Sequence, residues 1–286
     1  MRGWERDPEA PESRFFVLGG SNATTLGTFA QYVVVERDQV IPTPDHLDDV
    51  HAAAWPLGAV TAWRATMVNG AVKQGDNVLI TGIGGGVALT ALQLCVARGA
   101  NVYVTSGGED KIRKAVALGA KGGVSYKAED WPKQLAGLLK KNGASALSVV
   151  IDAGGGDIMG KTSGILKPGG RVVARESKSD HDDAGSDEEP ETYRFVTPRQ
   201  LFATARSLTD VPAHFHCIGS TMGSKQDLID ATNFLAQHRI VPIVSEVLDG
   251  LEAAERGFQI LERGDQFGKI VIRVADSSPK PVSAKL

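Results

Sequence analysis

The sequence predicts an α/β protein built on a doubly wound parallel sheet. Two observations carry this. Between residues 77 and 174, short β-preferring runs alternate with helical patterns of ten to fifteen residues. At the mouth of the first such run, NVLIT (77–81), four glycines fall within five positions: Gly82, Gly84, Gly85 and Gly86. Glycine weakens strands and helices alike, so a cluster at their junction calls for a tight turn or for something that must approach the backbone closely. The totals agree with a soluble globular protein: 286 residues, 42% hydrophobic and 23% charged. A net charge of −3 supplies no basic footprint for nucleic acid. No apolar run approaches the roughly 20 residues that span a bilayer, and the charged start, MRGWERDPEAPESR, has no signal-peptide core. Two cysteines, Cys95 and Cys217, make no disulfide framework and suit a reducing cytoplasm.

In chain order, residues 1–25 are polar and irregular. Tyr32 to Val35 is a β-rich run with a proline-punctuated exit. Asp45 is expected to cap a short helix reaching Ala54, Pro56 interrupts that pattern, and a buried helix follows around Thr61. NVLIT is the first strand. Leu89, Leu92 and Val96 sit at helical spacing, and Gly99 supplies the stop. VYVT (102–105) is a strand, EDKIRKAVALGA (109–120) a helix, GVSY (123–126) a strand. WPKQLAGLLKKNG (131–143) is a helix whose lysine-rich last turn suits the dipole. LSVVID (147–152) and GGRVVA (169–174) complete the repeats. Residues 176–194 hold eight acidic side chains against one lysine and one arginine, a solvated insertion that cannot fold alone. A strand within HFHCIGSTMG (214–223), an amphipathic helix (225–239), then strand, helix and strand (IVPIVSEV, LEAAERGFQILERG, KIVIRV) lead to a loose tail.

The glycine cluster lies where the first turn of a doubly wound sheet cradles a dinucleotide pyrophosphate on helix N–H groups. Its spacing departs from G-x-G-x-x-G, because Val87 takes the last place; G-x-x-G-x-x-A fits as Gly82, Gly85 and Ala88. An acidic residue at the end of the second strand, about 20 positions on, would hold a ribose 2′-hydroxyl. Here Thr105 and Ser106 stand at that end, with Lys111 nearby, and Glu109 and Asp110 open the next helix. A hydroxyl and a cation suit a 2′-phosphate, so NADP(H) is favoured over NAD(H). No metal set emerges. His46 and His51 lie among aspartates, Cys95 falls on a helix of the sheet layer, and a strand turns His214 and His216 away from Cys217. His181 beside Asp182 and Asp183 reads as part of the solvated run.

The strings AAAWPLGAVTAWRA, VKQGDNVLITGIGGGVALTALQLC, GA at 119–120, GGRVV and FGKIVIRV together resemble the medium-chain dehydrogenase/reductase superfamily. The likeness is to its zinc-type alcohol dehydrogenase-like and quinone-oxidoreductase-like branch, and it runs from about Gly27 to Val274. It implies a Rossmann domain at 57–238, a partial GroES-like β-barrel catalytic domain at 1–56, and a return to that domain at 239–286. By the same resemblance Gly85, Gly86 and Val87 meet the pyrophosphate, and Ser106, Lys111 and Tyr126 hold the 2′-phosphate. Thr61 lies beside the nicotinamide, Gly219, Ser220 and Thr221 along the cofactor, and Phe267, Gly268 and Lys269 near its nicotinamide end. A complete member would carry most of the catalytic domain ahead of residues like 1–40, including a GHE zinc motif absent here. The expectation is an NADP(H)-dependent oxidoreductase without zinc in this chain, acting on a small carbonyl, enone or quinone, with no catalytic residue assigned. The alternatives are a nucleotide-binding remnant with little activity, and a zinc-type enzyme truncated by a gene-model error. Tyr32 reads as a barrel-strand residue rather than a proton donor, and Thr61 as a positioning hydroxyl. A homodimer paired through the sheet edge, a small-molecule substrate and a cytoplasmic location complete the expectations.

Overall fold

A computed structural model describes residues 27–274, apart from 36, 156 and 176–214. Within them a six-stranded parallel sheet is flanked by helices on both faces. Its strands are β1 (Asn77–Ile80), β2 (Asn101–Ser106), β3 (Gly122–Ser125), β4 (Leu147–Asp152), β5 (Leu166–Arg175) and β6 (His216–Ser220). The spatial order is β3-β2-β1-β4-β5-β6, every pairing parallel. The order reverses between β1 and β4, which places a crevice outside their carboxyl ends.

The strands form because they are covered on both sides. All six residues of β4 are buried, as expected of a parallel strand covered on both faces. Successive side chains serve opposite layers. Val78 and Ile80 join Leu89 and Leu92 of α3 (Gly86–Ala97), while Leu79 joins Trp131, Leu135 and Leu139 of α5 (Trp131–Lys141). The first layer also holds α2 (Pro56–Trp63), α4 (Glu109–Ala117) and α7 (Lys225–His238); the second holds α6 (Ile158–Ser163). Buried on most sides, α3 carries alanine, leucine and threonine where a surface helix would carry charge. A separate two-stranded parallel sheet pairs β7 (Val244–Asp249) with β8 (Lys269–Arg273), joined by α8 (Ala254–Arg263).

Two expectations fail. Tyr32–Val35 forms no strand: it is irregular, and Tyr32 is 90% exposed. Strand-preferring residues make a strand only where a neighbour completes the ladder, and among the described residues none pairs with them. The first helix, α1 (Asp49–Ala54), is capped by Asp48 rather than Asp45. The Asp48 carboxylate accepts from the His51 amide at 2.8 Å, and Pro56 sits in the first turn of the next helix, where its missing N–H costs nothing. The acidic insertion, His181 and His214 lie outside the described residues.

A largely buried ion pair ties two helices of the first layer together. Arg64, just past α2, reaches Asp227 in the first turn of α7 at 2.6 Å, with side-chain exposures of 17% and 8%. Asp227 also accepts the Ser224 amide at 2.7 Å, completing a capping box. Arg64→Met is therefore expected to destabilise the chain by about 3 kcal/mol, because it strands a buried carboxylate. Thermal melts will show a Tm drop of about 6–10 °C; a drop under about 2 °C would place this pair with ordinary surface bridges.

Candidate functional site

The β1–α3 turn is built by glycines with distinct duties. Gly82 (φ +64) and Gly84 (φ +137) hold left-handed or mirror-extended backbone that side chains resist. The turn is pinned to β2: the Ile83 amide donates to the Thr105 carbonyl at 2.9 Å, and the Gly82 amide to the Thr105 hydroxyl at 3.3 Å. Gly85 differs. It is the N-cap of α3 in extended conformation (φ −74, ψ 150), with no side-chain cap. A Cβ there would meet nothing within 4 Å. Neither backbone nor internal packing asks for glycine at this place, so the open ground before the helix N-terminus is the feature that stands out. Gly86 is explained internally: a Cβ would collide with the Lys269 side chain, whose stem crosses it.

A cleft of about 470 Å³ opens beside the turn. It gathers Gly82, Gly85, Ser106, Lys111 and Tyr126 from the sequence expectations. Ser106 is buried at the end of β2, and its hydroxyl accepts the Gly108 amide at 3.2 Å. Tyr126 lies across Gly107, where an added Cβ would stand 2.6 Å from the phenol oxygen. No carboxylate from β2 enters the cleft. Lys111 is also engaged across the cleft, where its ammonium donates to the Gly264 carbonyl at 2.6 Å. Lys127, Arg263, Asp265 and Gln266 line the cleft as well and escaped the sequence reading. Lys127 was recoverable as the neighbour of Tyr126. The other three arrive from the far end of the chain and carry no local signal.

The remaining expected residues do not line this cleft. Gly58 of α2 packs against α3, its notional Cβ 3.2 Å from Thr90 and 3.7 Å from the Gly86 carbonyl. One turn on, the buried Thr61 donates its hydroxyl to the Leu57 carbonyl at 3.1 Å and lies 3.6 Å from the Met222 sulfur. Met222 takes a left-handed φ of +48, uncommon for a side chain of its kind and typical of sites held by their surroundings. It sits in the turn after Gly219, Ser220 and Thr221 at the end of β6, so that turn and Thr61 are brought together. Ser220 is buried with no partner for its hydroxyl among the described residues. Val87 packs against the first core layer, and Phe267 lies under the Lys114 ammonium at 5.4 Å. Lys269 opens β8, partly buried; burial lowers its ammonium pKa below the usual lysine range, and among the described residues no carboxylate pairs with it.

At the end of β4, the buried Asp152 accepts from the Thr81 hydroxyl at 2.6 Å and the Gly155 amide at 2.9 Å. This ties the carboxyl ends of β1 and β4 together. Among the described residues no group of three His, Cys, Asp or Glu converges to hold a metal. Cys95 is wholly buried and its thiol is pushed up to about 12, by burial first and then by the Asp76 charge. His216 is exposed, and Cys217 packs against the second core layer. No described helix is long and apolar enough to cross a membrane.

Known proteins extend this picture. The sequence profile of the zinc-binding dehydrogenase family matches residues 86–237. The zinc-type alcohol dehydrogenase-like protein YogA of Leptosphaeria maculans is 36% identical over 283 residues, spanning 96% of this chain and 73% of that protein. A crystal structure of an NAD-dependent alcohol dehydrogenase superposes with a TM-score of 0.68 at 32% identity, covering 87% of this chain and 66% of that one. Crotonyl-CoA reductase of Streptomyces avermitilis is 26% identical over 263 residues, which is 86% of this chain and 54% of that enzyme.

Proposed function

The chain belongs to the zinc-binding dehydrogenases of the medium-chain dehydrogenase/reductase superfamily, and on that premise we propose that it is an NADP(H)-dependent oxidoreductase. The observation that carries the dinucleotide is Gly85, a glycine that neither its φ nor its neighbours require, facing open ground at the free end of a twelve-residue helix. The other residues fit a dinucleotide laid along the crevice. Lys269 offers an ammonium without a carboxylate, Ser220 an unsatisfied buried hydroxyl, and the Ser106–Tyr126 end a set of cations. Preference for the 2′-phosphorylated form rests on this chain's own residues, since the 32%-identical structure is NAD-dependent. Its support is the missing carboxylate at the end of β2 and the presence of Lys111, Lys127 and Arg263 in the cleft.

A bound nicotinamide would supply or accept the hydride. The chain's part is to orient it. Gly85 and the first amides of α3 would hold the pyrophosphate, Lys269 would balance its charge, and Ser106 and Tyr126 would hold the ribose end. Thr61, its hydrogen already donated to Leu57, presents an acceptor beside the nicotinamide. The Cys95 thiol is held protonated in the core, where it is no metal ligand. Hydride transfer to a polarised alkene, quinone or small carbonyl needs a hydrogen-bond donor at the developing oxyanion rather than a Lewis acid. Similarity to a crotonyl-CoA reductase, whose named substrate is a conjugated thioester, supports that substrate class.

A second reading has its own observation. Phe29, Tyr32, Val34 and Val40, ahead of the first helix, are 55–90% exposed apolar side chains that take no part in the two core clusters. On that reading the chain binds the dinucleotide and turns over little. NADPH oxidation with a simple quinone and with a short enone separates the two. Turnover that tracks NADPH binding supports the enzyme; tight binding without turnover supports the remnant.

A further inference from the structure

We infer that Met222 is an oxidation site: a hydroperoxide converts its thioether to the sulfoxide, and the new oxygen draws the Thr61 hydroxyl off the Leu57 carbonyl. The consequence for cofactor binding rests on the dinucleotide reading above. Met222 follows β6 in a turn whose far side is fixed. Gly223 lies so close to α2 that an added Cβ would stand 2.8 Å from the Val60 carbonyl oxygen. Ser224 then caps α7, its hydroxyl accepting the Asp227 amide at 3.1 Å. Held between β6 and these anchors, Met222 keeps its left-handed backbone (φ +48), and its sulfur lies 3.6 Å from the Thr61 hydroxyl oxygen.

The sulfurs of the chain differ in reactivity. Thiols attack peroxides as thiolates. Cys95 is wholly buried with its thiol pushed up to about 12, and burial raises Cys217 as well. A thioether needs no deprotonation and reacts where it is exposed. Met159 is buried in the second core layer and Met67 packs against the first, whereas Met222 is partly exposed and belongs to neither. A sulfur lone pair attacks the hydroxyl oxygen of the hydroperoxide. The S–O bond forms as the O–O bond breaks, and the leaving oxygen departs as water or alcohol with the proton of the first. Sulfur is oxidised and the peroxide reduced. Before that step the sulfur is a weak acceptor, and Thr61 donates to Leu57 at 3.1 Å. A sulfoxide oxygen, one bond from that sulfur, is strongly polar. Turning the hydroxyl to it re-aims the lone pairs that the dinucleotide reading sets beside the nicotinamide.

Graded hydrogen peroxide treatment of the full 286-residue chain tests this, with peptide mass spectrometry and, after removal of the peroxide, NADPH fluorescence titration. Met222 is expected to gain one oxygen at least about fivefold faster than Met67 and Met159, and the oxidised chain to bind NADPH about tenfold more weakly. Methionine sulfoxide reductases restore the affinity. In Met222→Leu, peroxide changes the affinity by less than about twofold. In Thr61→Val, Met222 still oxidises but the loss shrinks to about twofold, because no hydroxyl is left to turn. Oxidation of Met67 or Met159 ahead of Met222 overturns the inference, as does an affinity that ignores Met222 oxidation or an undiminished loss in Thr61→Val. If the untreated chain binds NADPH, those outcomes leave the dinucleotide reading standing. If it binds none, both readings fall.

Discussion

Gly85→Asp is expected to stabilise the chain and to abolish dinucleotide binding. The two effects have separate physical origins. Gly85 already has the extended φ and ψ of an N-cap, and a Cβ meets no atom within 4 Å. Aspartate there accepts from the first free amides of α3 and places a negative charge at the positive end of the helix dipole. It also narrows the unfolded ensemble. Together these are worth about 1 kcal/mol, a Tm rise of about 2–4 °C for a chain of this size. A bound pyrophosphate would face the same carboxylate. Two such charges about 4 Å apart repel by roughly 4 kcal/mol at an effective dielectric near 20, so the affinity falls at least about a hundredfold. Gly85→Ala separates space from charge: it fills the ground without the carboxylate and weakens binding by about tenfold. Thermal melts and dinucleotide titrations on the same samples read both effects. A destabilised Gly85→Asp chain would mean that the glycine serves the fold after all.

The second large effect is at Lys269. Its stem lies over Gly86 and burial lowers its pKa, so the charged form is disfavoured in the folded chain. A folded-state pKa below the unfolded one means that the unfolded chain binds more protons between the two. Stability therefore rises with pH through that window, and the penalty is in full force below it. Lys269→Met keeps the stem and removes the charge. It should raise Tm by about 2–4 °C at pH 7, corresponding to ~1 kcal/mol, with the gain shrinking in alkaline buffer. Dinucleotide affinity should fall about tenfold or more, because a charged hydrogen bond to the pyrophosphate is lost. In the unsubstituted chain that affinity weakens as pH rises through the Lys269 pKa; in Lys269→Met this slope is absent. A variant that is destabilised at pH 7, or that binds unchanged, would remove Lys269 from the phosphate site.

Much of this arrangement was written locally. Strands β1, β2 and β4 announce themselves because each is a short, mainly apolar run buried along most of its length, and helices of fitting length separate all five strands from β1 to β5. The β1–α3 turn is legible because glycines at a strand mouth have few other uses. What the sequence hid has a common cause. Tyr32–Val35 carries strand preference with no described strand to pair with, and preference alone does not make a ladder. Arg263, Asp265 and Gln266 lie some 150 residues beyond Ser106 and reach the cleft only because the C-terminal segment folds back over it. Lys111 was visible as a cation near the second strand, but its bond to Gly264 depends on that same return. Met222 gave no sign of its left-handed backbone.

The most direct test of the central claim, that the ground before Gly85 is a dinucleotide phosphate site, is a nicotinamide-fluorescence titration of the 286-residue chain and its Gly85→Asp variant with NADPH. Saturable binding is predicted for the unsubstituted chain, and none for a variant that melts higher. Equal binding by both chains, or none by either, would contradict it.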